Sequence, residues 1–176
     1  TISKGESLVQ HDLNRGLEAD YALVAYGGND SDYDWAAIDA DPAGDHRPRT
    51  ELPAFREKLR HTVTMLREKG IQPVLMSLPP IDAARYLAFI CRDGLRKERI
   101  MDWLGDVQMI YRHQEMYSDA VTQLAYAEGL PLIPVREEFL NDHRLMRLIA
   151  ADGIHLTMPG YERLFDTLAD WLRIRV

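Results

Sequence analysis

Three short apolar runs, each set apart from the next by helical periodicity, limit what this chain can fold into more than any other feature. Tyr21-Ala22-Leu23-Val24-Ala25-Tyr26, Pro73-Val74-Leu75-Met76-Ser77-Leu78 and Leu130-Pro131-Leu132-Ile133-Pro134-Val135 read as buried strands, the first as a central one. Between the first two, residues 52–69 carry apolar side chains at 52, 55, 59, 63 and 66, which is one face of a helix, and stop at Gly70, a suitable C-cap. Residues 81–104 read as two short helices broken near Asp93-Gly94, and a long helix over 106–128 ends at Gly129. An earlier helix over 5–17 carries Val9, Leu13 and Leu17. Strands joined through helices imply a parallel sheet covered on both faces, a three-layer α/β/α sandwich. A length of 176 residues suits one domain, 1–176.

Ligands of such sheets bind beyond the carboxyl ends of the strands. Gly27-Gly28-Asn29-Asp30 leaves the first strand at that edge, and Ser77 leaves the second. After the third, short helical pieces over 137–149 lead to the turn Asp152-Gly153-Ile154-His155. Thr157 is expected to cap a last helix opened by Pro159 and carrying Leu164, Leu168, Trp171 and Leu172. An Asn beside tight glycines can aim its amide at a developing oxyanion, and an Asp three residues before a His can orient that His as a base. Such a site also needs a nucleophile. Ser31 and Ser77 are the best-placed serines, but neither stands in Gly-x-Ser-x-Gly or Gly-Asp-Ser, and Ser77 reads as a pocket-lining or capping residue.

Charge and residue counts narrow the partners. Lys+Arg 21 against Asp+Glu 28 leaves a net charge of −7, whose field repels nucleic acid and anionic membrane. The one basic run, residues 92–99, is interrupted by Asp93 and Glu98. Cys91 stands alone, so neither an internal disulfide nor a Cys-based zinc site is expected. His11, His46, His61, His113 and His143 lack metal-ligand spacing. The stretch from Asp30 has Trp35 and Asp41 where a calcium loop needs Gly and Glu, so no metal is expected. No apolar run approaches the ~20 residues of a membrane span. Segments 31–49, read as a polar loop, and 81–104 leave the same sheet edge. Tyr33, Trp35, Tyr86 and Trp103 within them are candidate substrate contacts, while Met101, Met109 and Met116 read as core filler. Three strands are few for so many helices, and the chain opens on Thr1. A partner strand for residues 21–26 is therefore expected upstream.

Gly27-Gly28-Asn29-Asp30 resembles the Gly-x-Asn-Asp block of the SGNH hydrolases, also called GDSL lipases or esterases. Asp152-Gly153-Ile154-His155, followed by Leu156-Thr157 and Gly160-Tyr161, is similar to their Asp-x-x-His block. The resemblance runs from about Ala19 to the C-terminus. It implies an SGNH-hydrolase-like, flavodoxin-like α/β/α fold and hydrolysis of a small-molecule acyl ester through serine acylation, without a cofactor. In that scheme His155 is the general base, Asp152 orients it, and Asn29 donates to the oxyanion. Gly27 and Gly28 let backbone approach substrate, and Asp30 braces the loop. Two blocks of the family are missing from this chain, the Gly-Asp-Ser block with the nucleophile and the block supplying an oxyanion Gly. The resemblance puts the nucleophile's strand beside the Asn-bearing strand, hence upstream of Thr1. The alternative is a catalytically inactive SGNH-like binding domain, told apart by the residue at the Gly-Asp-Ser position. A flavodoxin-like phosphate binder is disfavoured by the Asp-rich sequence after Gly27-Gly28.

Overall fold

The computed structural model describes residues 1–175, which form two compact units. The first comprises Thr1–Asp32, Arg47–Leu78 and Met116–Ile133; the second comprises Tyr33–His46, Pro79–Glu115 and the described residues from Pro134 onward.

In the first unit, α1 (Ile2–Asn14) leads to β1 (Tyr21–Val24), followed later by α3 (Leu52–Glu68), β2 (Gln72–Met76) and β3 (Leu132–Ile133). The strands are parallel in the order β1-β2-β3, with Leu23 opposite Val74 and Leu75 opposite Leu132. Helix α3 begins with Pro53 in its first turn and is followed by Gly70 at φ +75°, a conformation that ends a helix without strain. Its face at Phe55, Leu59, Val63 and Leu66 is buried against Val24, Leu75, Tyr117 and Val121. Each of these side chains contributes about 1.5–3 kcal/mol of burial energy, an upper estimate. β3 is only two residues long because Pro131 and Pro134 flank it and cannot donate to a ladder.

β1, read from its composition as a central strand that lacks a partner, has one neighbour in the described sheet. It is an edge strand of the described sheet, and Tyr21 and Leu23 are 52% and 50% exposed. Alternate side chains of a strand point to opposite faces. Ala22 and Val24 therefore pack inward, while Tyr21 and Leu23, on the other face, stay half exposed.

The second unit holds α2 (Trp35–Ala40), α4 (Ala83–Cys91), α5 (Lys97–Leu104), α7 (Val135–Leu140), a 3₁₀ turn (Leu145–Arg147) and α8 (Met158–Arg175). Helix α6 (Gln108–Ala127) supplies residues to both units. α2 lies inside the segment read as a loop. Asp34 starts it by accepting a hydrogen bond from the Ala37 N–H, and Trp35 and Ile38 anchor it in a core with Ala83, Tyr86, Leu87, Ile100 and Ile110. Arg96 grips the Asp39 carboxylate through Nε (3.0 Å) and Nη2 (3.0 Å), joining α2 to α5 and holding that carboxyl below its ordinary range. Met101 packs against this core, but Met109 and Met116 are exposed, because α6 turns them away from both cores.

Candidate active site

The loop after β1 is fixed from below. Gly27 has φ +131°, and a Cβ there would lie 3.0 Å from a Leu78 methyl, so the position requires glycine. Asp30 is completely buried, and its carboxylate accepts from the Ile2 N–H at 2.9 and 3.1 Å and from the Thr50 hydroxyl at 2.6 Å. The Ile2 N–H is one of the donors a helix leaves unpaired at its N-terminus, so Asp30 caps α1 and ties the loop to it. The Asp30 carbonyl also accepts from the Thr50 N–H (3.1 Å), which anchors the loop to the segment before α3. Ser31 closes the loop through its N–H to the Gly27 carbonyl (3.0 Å) and its hydroxyl to the Gly28 carbonyl (2.9 Å). Asn29 is left as the exposed apex of a rigid turn. Ser77 is buried at the exit of β2, its N–H 3.1 Å from the Ile133 carbonyl.

Asp152 and His155 meet in the second unit. Asp152 Oδ2 lies 2.7 Å from His155 Nδ1, while Oδ1 accepts the N–H groups of Ile154 and His155, each at 3.0 Å. Burial pushes this carboxyl up. The backbone N–H groups of His155 and Ile154, with the imidazole, outweigh burial and hold it below the usual carboxylate range. The His155 side chain is 68% exposed, so with Nδ1 engaged, Nε2 is the nitrogen offered to a reacting group. The Ala150 N–H donates to the His155 carbonyl (2.8 Å), and Ile149 bridges Leu156, so the turn is pinned at its base. Thr157 caps α8 by accepting from the Gly160 N–H (3.2 Å).

The aromatic candidates are packed rather than scattered. Trp35 and Tyr86 are buried edge to face, with the indole N–H donating to the Tyr86 hydroxyl at 3.3 Å. Tyr33 is half-buried, its ring 4.8 Å from Trp103 and its Oη 3.1 Å from His113 Nε2. Burial pushes the Tyr33 phenol up to about 12 and the His113 imidazole down, so both are neutral at neutral pH and the phenol can donate to the ring nitrogen. Sequence reasoning assigned His113 no role. Its partner is 80 positions away, and no local pattern signals a pair formed only by tertiary packing.

The structure thus brings Asp152 to His155, and it builds Gly27, Gly28, Asn29 and Asp30 into one loop of the first unit that Ser77 shares. Among the described residues, no group of three or more His, Cys, Asp or Glu side chains is arranged to hold a metal ion. No described helix is long and apolar enough to cross a membrane.

The profile of the GDSL-like lipase/acylhydrolase family matches residues 3–163. The isoamyl acetate-hydrolyzing esterase of Saccharomyces cerevisiae is 23% identical over 118 residues, which are 66% of this chain and 46% of that esterase, so the chain spans less than half of that relative's length. A lipase/acylhydrolase from Enterococcus faecalis superposes with a TM-score of 0.63 at 18% identity, covering 99% of this chain and 71% of the other. An acetyl xylan esterase from Geobacillus stearothermophilus gives 0.66 at 15% identity, covering 97% and 67%. A GDSL-like lipase from Bacteroides thetaiotaomicron gives 0.64 at 15%, covering 100% and 72%. The α/β/α fold expected from the strand and helix pattern is the fold these likenesses carry.

Proposed function

The chain belongs to the GDSL-like lipase/acylhydrolase family, and we propose that it carries the base and an oxyanion donor of a serine ester hydrolase whose nucleophile lies outside these residues. The observation that carries this reading is the Asp152–His155 pair, a 2.7 Å contact to Nδ1 beneath an exposed ring.

In the acylation step His155 Nε2 takes the proton of the serine hydroxyl as the oxygen attacks the ester carbonyl. Asp152 holds the ring in the matching tautomer and stabilises the imidazolium. The oxyanion accepts from the Asn29 amide, a contact worth about 3 kcal/mol of barrier. Collapse of the tetrahedral intermediate breaks the bond to the alcohol, which leaves with the proton from His155. Water, deprotonated by His155, then releases the acid and restores the serine. Asp30 braces the Asn29 loop in this reading, which the hydrogen bonds of its carboxylate to Ile2 and Thr50 support.

The serine is assigned to a strand against the outer edge of β1, supported by the place of β1 at the end of the described strand order. Acetyl esters of small alcohols or sugars are the substrate class put forward, on the names of the yeast and Geobacillus relatives. Of the aromatic residues, half-buried Tyr33 is the better candidate contact, with Trp35 and Tyr86 packed behind it as its support, and Ser77 stays a candidate lining residue at the exit of β2.

The test is mass spectrometry of the intact protein before and after a fluorophosphonate probe. One adduct, mapped to a Ser outside residues 1–176, is the expected result. A protein that contains the upstream strand and takes no adduct overturns serine catalysis and leaves the non-catalytic binding domain.

A further inference from the structure

The Asp152–His155 turn rests on the first turn of α4, and one side chain stitches the two together. Asp82 caps α4, its Oδ1 accepting from the Ala84 N–H (3.0 Å) and the Arg85 N–H (3.1 Å). The Asp82 N–H donates to the Gly153 carbonyl at 2.8 Å. Gly153, at φ +82°, lies so close that a Cβ would stand 2.5 Å from the Asp82 carbonyl oxygen and from the Tyr86 nitrogen. Arg85 then reaches to the chain leading into the turn. Its Nη1 donates to the carbonyls of Met146 (3.1 Å) and Ile149 (2.9 Å), while its Nε lies 3.3 Å from Asp82 Oδ2.

Resting on the reading of His155 as the base, we propose that Arg85 is a positioning residue for His155, fixing the backbone at Met146 and Ile149 from which the Asp152–His155 turn springs. Ile149 is the residue that bridges Leu156, and the Ala150 N–H holds the His155 carbonyl, so the Ile149 carbonyl sits at the root of the turn. α4 is itself immobilised, by its cap and by the burial of Ala83, Tyr86 and Leu87. One rigid helix therefore holds the turn at two points, at Gly153 through its first turn and at Met146 and Ile149 through the Arg85 guanidinium. The Asp82 carboxylate beside the guanidinium offsets its charge, so the action is geometric. Hydrogen bonds from a charged donor to two carbonyls resist displacement better than neutral ones.

Arg85→Met keeps the length of the stem and removes the donors; Arg85→Lys keeps a cation that can reach one carbonyl. The first readout is the ring ¹⁵N spectrum of His155, in which the Nδ1–H signal reports its bond to Asp152. The second is hydrolysis of 4-nitrophenyl acetate by protein that includes the nucleophile segment. For Arg85→Met we expect loss of the Nδ1–H signal at an unchanged circular dichroism spectrum. We also expect kcat to fall roughly 10- to 100-fold with KM little changed, the signature of a misplaced base. Arg85→Lys should restore part of both. His155 ring signals identical to wild type in folded Arg85→Met, or a rise in KM at constant kcat, overturns the proposal. If Arg85→Met fails to fold, wild-type ring signals and kcat in Arg85→Lys do the same. Wild-type protein inert towards the ester, with ring signals still lost on Arg85→Met, would sink the hydrolase reading and leave the positioning role standing.

Discussion

Asp30 and Asp152 are both loop aspartates, yet their surroundings give them opposite tasks. Asp30 is sealed beneath its loop with every hydrogen bond directed at structure, so Asp30→Asn, which converts acceptor capacity into a misplaced donor, should cost roughly 1–3 kcal/mol in urea unfolding. Asp152 faces a ring that solvent reaches. Its carboxyl is held below the ordinary value of 3.8, so its bond to His155 is fully present above that value and is lost as pH falls through the lower folded one. The Nδ1–H signal of His155 should therefore outlast the titration of ordinary carboxylates. On the proposed reading of His155 as the base, Asp152→Asn in protein that includes the nucleophile segment should lower kcat by about 10⁴-fold, as loss of the orienting carboxylate does in serine-protease triads. His113 titrates with the same sense. Burial depresses it below 6.5, so the stability it protects is complete above that pH and drains away as pH falls through the folded value. His113→Phe should flatten the decline of the urea midpoint as pH falls below 6.5.

At the scale of elements, exposure decides what an unpaired face does. Leu23 is half exposed on an edge strand, so in the 176-residue chain Leu23→Lys should change stability by less than about 0.5 kcal/mol and reduce self-association in sedimentation velocity. The sequence foretold α3 and β2 well, since their apolar spacing is local and Gly70 marks the helix end. α2 went unread because six residues carry too little periodicity, although Asp34 placed three residues before Ala37 was a capping signal. β1 was read as central because composition reports how apolar a strand is and says nothing of which neighbours are there to cover it. The turn at Asp152 was legible as a motif, whereas the grip of Arg85 on Met146 and Ile149, 61 and 64 positions away, was not.

For the molecule as a whole, the net charge of −7 sets a repulsive field towards polyanions. Duplex DNA at low salt should leave its mobility unchanged in a gel-shift assay. Two independent cores, one around Phe55 and Tyr117 and one around Trp35 and Ile100, also divide the chain's tolerance to change. Anyone reshaping substrate preference would turn first to the stretch after β2, since it leaves the strand end where ligands gather. The contact between Gly153 and the opening of α4 makes that an unsafe place for a randomised library. Inserting or deleting a residue between Pro80 and Tyr86 would drag the backbone of the Asp152–His155 turn along, so variants selected there would arrive with the proposed base displaced.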